Sequence, residues 1–222
     1  MVALLNYLTT RLSCVTISAM ESIRTFVAME LSDDLKHALQ TIQHRLQDAP
    51  GARVARWVAP QNIHLTLKFL GEVESVRVPR LIAALQESSA GLAPFTLTAR
   101  GLGCFPSTRR PNVIWVGLAG DVQHALELAQ RIESACEKSG FPREARAFSP
   151  HLTIGRIKRE ARPVDRAAIG AAVQDFSTPD LGIIVGDAVH LIKSDLRPDG
   201  PIYTKLASIH LNTPDDPIPR PS

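Results

Sequence analysis

The sequence has few cysteines and no long apolar run. Its 222 residues include three widely spaced cysteines, Cys14, Cys104 and Cys136, which form no C-x-x-C pair. This spacing excludes a zinc ribbon and argues against a disulfide framework, so we interpret all three as reduced thiols of a cytoplasmic protein. No stretch approaches the roughly 20 apolar residues of a membrane-spanning helix, so we expect no membrane association.

A strong excess of one charge is also lacking. Lys and Arg total 25 against 22 for Asp and Glu, which gives a formal net charge of +3. A bias this small is compatible with an anionic substrate but does not indicate one. The hydrophobic fraction of 45% is that of an ordinary globular chain long enough to bury a core.

Regular patterning begins only at Met20. Residues 1–19 carry short apolar runs interrupted by polar residues, without the charged start and apolar stretch of a signal peptide. We therefore expect residues 1–19 to be an extension outside the fold. Residues 20–211 should form one domain, since no linker interrupts them. Residues 212–222 are rich in Pro and Asp and should be a disordered tail.

Strands and helices alternate irregularly along the chain. Ser32 is a good helix N-cap and precedes apolar residues at helical spacing, and further helices are predicted over 75–87, 121–139 and 162–175. The predicted strands come in pairs between the helices, and the last two, 185–194 and 202–211, form a hairpin. This order indicates an α+β protein rather than a doubly wound parallel sheet.

One four-residue motif occurs twice. His64-Leu65-Thr66-Leu67 recurs as His151-Leu152-Thr153-Ile154, each time in a predicted strand. Residues two apart in a strand share a face, so each copy presents a histidine and a threonine on one side and apolar side chains on the other. If the two halves pack as a pseudo-dimer, the two His-Thr pairs face each other across one cleft.

Strict alternation also makes predictions for the flanking residues. It places Lys68 on the His64 face and Phe69 on the opposite, apolar face. It places Arg156 opposite His151 unless a bulge at Gly155 redirects the strand. The arginines of the loop after Phe105, at positions 109 and 110, are best explained as parts of a solvated loop.

Two facing histidines suit phosphodiester chemistry at a ribose. One ring acts as base on the attacking oxygen and the other as acid on the leaving oxygen, because imidazole titrates near neutral pH. Threonine hydroxyls can donate to the phosphate oxygens that carry charge in the transition state. A zinc site is the alternative for paired histidines, but neither motif carries the third ligand that zinc requires.

The paired motifs resemble those of the two-histidine (2H) phosphoesterase superfamily. The stretches that carry the likeness to bacterial RNA 2',3'-cyclic phosphodiesterases, also called 2'-5' RNA ligases, are Arg24-Thr25-Phe26-Val27-Ala28, Asn62-Ile63-His64-Leu65-Thr66-Leu67-Lys68-Phe69-Leu70-Gly71-Glu72-Val73 and Pro150-His151-Leu152-Thr153-Ile154-Gly155-Arg156. The similarity spans residues 24–211.

This resemblance implies a fold, a reaction and roles for five residues. The fold would be bilobal, with two antiparallel sheets, outer helices, a pseudo-twofold axis and a cleft between the lobes. His64 would protonate the leaving 3'-oxygen and His151 would activate water, giving a 2'-phosphomonoester. Thr66, Thr153 and Arg156 would bind the phosphate.

The resemblance also implies how the enzyme works and with what. No metal or other cofactor is needed, and the substrate would be RNA ending in a 2',3'-cyclic phosphate, with tRNA halves as candidates. The protein would act as a monomer without an obligatory protein partner. An RNA 5'-hydroxyl in place of water would give reversible 2'-5' ligation at the same site.

Two other functions remain open at this stage. The chain could hydrolyse a small cyclic nucleotide or ADP-ribose cyclic phosphate, since its mild charge suits a small substrate equally well. It could also be a non-catalytic RNA-binding module whose histidines only contact phosphates. The other five histidines have no partner motif, and we interpret them as surface or packing residues: His37, His44, His124, His190 and His210.

Overall fold

Nine strands and four helices lie within residues 21–211, the part of the chain that this computed structural model describes. The predicted extension 1–19 and the predicted tail 212–222 lie outside the described residues. The strands are β1 (Ser22–Met29), β2 (Ala55–Trp57), β3 (Leu65–Glu74), β4 (Phe95–Phe105), β5 (Val113–Gly120), β6 (His151–Ile157), β7 (Gly182–Gly186), β8 (Ala188–Arg197) and β9 (Gly200–His210). The helices are α1 (Asp33–Gln47), α2 (Val78–Ser89), α3 (Val122–Lys138) and α4 (Pro163–Asp175).

The strands form two antiparallel halves that meet edge to edge. The order across the whole sheet is β7-β4-β5-β6-β3-β1-β8-β9, and β2 pairs with β6 on the edge that β6 shares with β3. Between β3 and β6 a single residue pair, Leu65 and Leu152, is in register. The α+β class and the bilobal arrangement predicted from the sequence are confirmed.

The Leu65–Leu152 pair also locates the pseudo-twofold axis. In an antiparallel pair a local twofold axis runs between the two opposed residues, perpendicular to the sheet. Leu65 and Leu152 are the second residues of the two motif copies. Their pairing therefore relates the first copy to the second by this axis and sets the two histidines diagonally across it.

The helices cover one side of the sheet and cross between the halves. α1 follows β1 but packs against β7, and Gln43 of α1 donates hydrogen bonds from Nε2 to the carbonyl oxygens of Val58 and Ile154, at 2.7 and 2.8 Å. α3 follows β5 but packs against β3. Because each of these helices covers strands of the other half, the helical layer joins two halves that share little backbone pairing.

The start of α1 follows the sequence prediction. The Oγ atom of Ser32 accepts a hydrogen bond from the backbone N–H of Leu35, and Asp33 and Asp34 lie in the first turn, where the helix dipole favours negative charge. The predicted apolar stripe is buried: Leu35, Leu39, Ile42 and Leu46. β7 was not predicted as a separate strand, because the apolar run from Val185 hides the break at Asp187, where the chain leaves one half for the other.

The prediction that Lys68 shares the His64 face is wrong. Its side chain is 1% exposed and points to the helical side, where Nζ donates to Oε1 of Glu133 at 2.8 Å and to the carbonyl oxygen of Pro142 at 3.1 Å. The same Glu133 oxygen accepts from the backbone N–H of Glu144 at 2.9 Å. This buried ion pair ties β3 to α3 and to the segment that leads into β6.

Replacing Glu133 should therefore destabilise the fold. Glu133→Ala leaves the Lys68 ammonium buried without a carboxylate, which we expect to lower the free energy of unfolding by about 3 kcal/mol. Urea denaturation measures the difference. The matched control is Glu137→Ala on the same helix, whose ion pair with Arg143 is about half exposed; its loss should stay below about 1 kcal/mol. Equal losses in the two variants would contradict the buried role of Glu133.

Candidate active site

Both copies of the motif contain a β-bulge at the same position. Along β3 and β1, Lys68 pairs with Val27 and Thr66 with Ala28, so Leu67 is the extra residue. Along β6 and β5, Gly155 pairs with Ile114 and Thr153 with Trp115, so Ile154 is the extra residue. The bulge therefore falls on the fourth residue of each motif.

Each bulge changes which residues face the cleft. One extra residue reverses the alternation, so the fifth residue after each histidine returns to the histidine face. In the first copy this residue is Phe69, whose ring centroid lies 6.2 Å from that of Phe26, which itself stacks on His64. In the second copy it is Arg156, which is solvent-exposed and acts electrostatically on both His64 and His151.

These placements correct two predictions and refine a third. Phe69 was predicted on the apolar face, but its side chain is 52% exposed on the cleft side. Lys68 takes the buried position instead. The redirection of Arg156 onto the His151 face occurs as the bulge alternative required, one residue before Gly155. No local signal in the sequence marks the two bulges. The extra residues, Leu67 and Ile154, are both apolar, as strict alternation without a bulge also predicts.

The two histidines are held in the same way. Nδ1 of His64 lies 2.9 Å from the carbonyl oxygen of Asn62, and Nδ1 of His151 lies 2.7 Å from that of Ser149. A carbonyl oxygen only accepts, so Nδ1 carries the proton in both rings and Nε2 is left free. Each ring thus presents an unprotonated nitrogen that can accept a proton or, once protonated, donate one.

Burial keeps both rings neutral in the free protein. Desolvation lowers the pKa of His64 to about 4; the hydrogen bond to Asn62 and the charge of Glu30 oppose the shift, and the charge of Arg156 adds to it. Desolvation also lowers the pKa of His151, again with a contribution from Arg156. Both shifts favour the neutral imidazoles at pH 7, and a bound anion would oppose the shifts by stabilising the imidazolium form.

Aromatic rings surround the two histidines. His64 stacks on Phe26 with centroids 4.7 Å apart and meets the edge of Tyr203 at 5.5 Å. His151 meets the edge of Phe105 at 4.9 Å. These contacts fix the ring planes, and sequence analysis did not identify them because the partners come from β1, β4 and β9.

Trp115 lies on the cleft face beside the second copy of the motif. Its ring lies over Gly103, where an added Cβ would come within 2.3 Å of the indole, and Trp115 is paired across strands with Thr153. Glycine is required at Gly103 because the indole occupies the space of a side chain. The threonine of the second motif is therefore set on a rigid aromatic surface.

The expected site residues fall together on the cleft face. Leu65 and Leu152 point into the core, so the histidines and threonines beside them point to the opposite side: His64, Thr66, His151 and Thr153. Diagonal neighbours on an antiparallel pair lie about 7–8 Å apart, with their Cβ atoms somewhat closer, so the two histidines lie near each other across the axis. Arg156 lies on the same face, whereas exposed Arg109 and Arg110 lie in the β4–β5 loop, as expected of a solvated loop.

Comparison with known proteins identifies the family. A family model described as LigT like phosphoesterase matches the chain twice, over residues 29–115 and 116–203. The chain belongs to the LigT-like phosphoesterase family. The two matches divide this LigT-like phosphoesterase into the two repeats that the pseudo-twofold axis relates, with one motif in each.

Two relatives of this LigT-like phosphoesterase match over nearly their whole length. It is 32% identical over 193 residues to an RNA 2',3'-cyclic phosphodiesterase of Aquifex aeolicus, covering 86% of this chain and 99% of that one. It is 31% identical to the protein of that name from Methanothermobacter thermautotrophicus, covering 85% and 99%.

Two solved structures are similar in fold. TT0787 of Thermus thermophilus superposes with a TM-score of 0.66 at 26% identity, covering 86% of this chain and 99% of that one. E. coli LigT in its apo form also gives 0.66 at 26% identity, covering 87% and 99%.

Neither a metal site nor a membrane span is found in the described part of the chain. Among residues 21–211 no three side chains of His, Cys, Asp or Glu are grouped as a metal site requires. The zinc alternative therefore lacks its third ligand among these residues. No helix within the same range is both long and apolar enough to cross a membrane.

The electrostatics of the site predict a titration that phosphate alters. In proton NMR, the His64 ring should titrate near pH 4 and the His151 ring below 6.5, with assignments from His64→Ala and His151→Ala. Inorganic phosphate should raise at least one midpoint, because a bound anion stabilises imidazolium. The lowered pKa values also mean that stability falls as pH drops from 6.5 towards 4, where the unfolded chain binds more protons. Midpoints near pH 6.5 that do not change when phosphate is added would contradict both the burial of the two rings and their response to a bound anion.

Proposed function

We propose that the protein hydrolyses the 2',3'-cyclic phosphate at RNA 3' ends to a 2'-phosphomonoester. The observation that carries this proposal is the pair of His-x-Thr motifs related by the axis at Leu65 and Leu152, with both Nε2 atoms free. The relatives named RNA 2',3'-cyclic phosphodiesterase, at about one third identity over most of the chain, support the same activity class.

In the proposed reaction the two histidines divide the proton transfers. His151 Nε2 takes a proton from water as the water oxygen attacks phosphorus, and the bond from phosphorus to the 3'-oxygen breaks. His64 Nε2 gives its proton to that oxygen, leaving the phosphate on the 2'-oxygen. Each transfer is worth about 10²–10⁴-fold in rate.

The substrate itself would supply the protonated state of His64. Desolvation holds the pKa of His64 at about 4 in the free protein, so its acid form is scarce at pH 7. The negative charge of a cyclic phosphate bound between the rings stabilises the imidazolium and raises that pKa. The acid would thus be formed only when a phosphate is bound.

The remaining residues would bind the phosphate and the base. Thr66 and Thr153 lie beside the histidines and can donate their hydroxyls to the equatorial oxygens, while Arg156 offsets their charge. Phe69 is a half-exposed ring beside Phe26 on the same face, which suits stacking of a nucleobase. An RNA 5'-hydroxyl in the place of water would give 2'-5' ligation by the same transfers, which incubation with paired tRNA halves would test.

Identifying the product tests this proposal. RNA ending in a 2',3'-cyclic phosphate, incubated with the protein in EDTA and followed by phosphorus NMR, should give a 2'-phosphate. His64→Ala and His151→Ala should each lower the rate by several orders of magnitude, and the double variant by little more, because the two rings act as a unit. The control is His37→Ala, an exposed residue of α1.

Four outcomes would overturn the proposal. A 3'-phosphate product would reverse the assigned regiochemistry. Activity abolished by EDTA and restored by zinc would contradict the metal-independent mechanism. RNA binding that survives His64→Ala in a protein without any turnover would favour the binding-module interpretation, and turnover of cyclic mononucleotides but not of tRNA halves would favour a small substrate.

A further inference from the structure

Two arginines lie directly opposite each other on β2 and β6. Arg56 pairs with Arg156 in the antiparallel register. The pairs on either side face the core: Ala55 and Ile157 are buried there, and an added Cβ at Gly155 would lie 3.2 Å from the ring of Trp57. Since side chains alternate along a strand, both arginines must face the other way, onto the cleft surface that carries His151.

Neither arginine has a counter-charge in the part of the chain that the structure describes. Within residues 21–211 no carboxylate pairs with the guanidinium of Arg56 or Arg156, and no hydrogen bond from either guanidinium is found there. Both side chains are exposed. Like charges directly opposite each other on a sheet are destabilising, so the pair weakens the unliganded fold. A bound anion would remove that repulsion.

Of the two arginines, Arg156 lies near the reacting centre and Arg56 lies beside it. β2 and β3 occupy the same edge of β6, with Leu65 opposite Leu152 and Arg56 opposite Arg156. Four residues along a strand span at most roughly 13 Å. Arg156 acts electrostatically on both histidines, and Arg56 lies opposite it on β2, on the edge of β6 that β3 also occupies.

We propose that Arg56, together with Arg156, forms a subsite for a second phosphate of the substrate, the internucleotide phosphodiester on the 5' side of the terminal ribose. This inference rests on the proposed function, because it assigns the first phosphate to the space between the histidines. The reacting phosphate is at the 3' end of the RNA, so any further phosphate of the strand lies on the 5' side. Guanidinium groups suit such a site, since they present planar forks of donors to phosphate oxygens.

The subsite distinguishes RNA from a cyclic mononucleotide. A mononucleotide with a free 5'-hydroxyl has only the reacting phosphate and leaves Arg56 unsatisfied. A dinucleotide is the shortest RNA that fills both positions. The arginine pair therefore favours oligonucleotide ends over small cyclic nucleotides, a choice that the histidine motifs alone do not make.

The test compares three substrates that differ in the second phosphate. They are adenosine 2',3'-cyclic phosphate, the dinucleotide ApA with a 2',3'-cyclic end, and the same dinucleotide with a neutral methylphosphonate linkage. Wild-type protein should show kcat/KM about tenfold or more higher on the charged dinucleotide than on the neutral one, as one charge-assisted hydrogen-bonding pair provides. Arg56→Gln should remove most of that ratio, acting mainly through KM, and Arg56→Lys should restore part of it.

The matched control is Arg53→Gln. Arg53 lies three residues away, carries the same charge and pairs with Asp165 outside the cleft, at 3.2 Å. Its replacement should leave the charged-to-neutral ratio as in wild type. A ratio near one in wild type, or a ratio that Arg53→Gln and Arg56→Gln lower equally, would overturn the subsite.

Direct binding separates this inference from the proposed reaction. Dissociation constants for ApA ending in a 2'-phosphate and for its methylphosphonate form can be measured by calorimetry without turnover. One outcome is that the wild-type protein hydrolyses none of the cyclic substrates but binds the charged ligand more tightly, and that Arg56→Gln removes this preference. That outcome would support the subsite and contradict the proposed reaction. Hydrolysis of all three substrates at one rate, with equal binding of both ligands, refutes the subsite and retains the reaction.

Discussion

The geometry of the site depends on one antiparallel contact, between Leu65 and Leu152. These are the only opposed residues of β3 and β6 in the described chain, and the twofold axis between them relates the two motif copies. A slip of one residue in either strand would turn that strand's histidine towards the core and its leucine into the cleft, which would bury a polar ring and expose an apolar side chain. Because β3 and β6 separate on either side of the pair, space remains for a substrate.

So short a junction needs support from elsewhere. The helical layer supplies this support, because α1 packs against β7 in the half that contains β6, and α3 packs against β3 in the other half. Gln43 bonds to backbone on both sides of the junction, and Lys68 joins β3 to Glu133. The bulge after each threonine contributes both to this support and to the cleft surface. On β3 it turns Lys68 inward to the ion pair and Phe69 outward to the cleft. On β6 it turns Arg156 outward to the cleft.

The electrostatics of the unliganded cleft favour an anion. Burial keeps both imidazoles neutral, Arg156 opposes their protonation, and Arg56 faces Arg156 without a carboxylate partner in residues 21–211. The desolvation that disfavours a charged imidazole and the repulsion between the two arginines would both be offset by negative charge in the cleft. Phosphate binding, protonation of a histidine and neutralisation of the arginine pair would then occur together.

The fold class, most helices and strands, and the two histidine–threonine pairs could be predicted from the sequence, because apolar periodicity and a repeated motif are local signals. The sequence could not place Lys68, Phe69 or Arg156, since their faces depend on bulges that form only when β3 pairs with β1 and β6 with β5. The aromatic rings around the histidines and the pairing of Arg56 with Arg156 could not be predicted from the sequence either, because the partners come from strands distant in the chain. Alternation is a property of one strand, whereas a bulge is a property of two, and only the tertiary structure decides which strands meet.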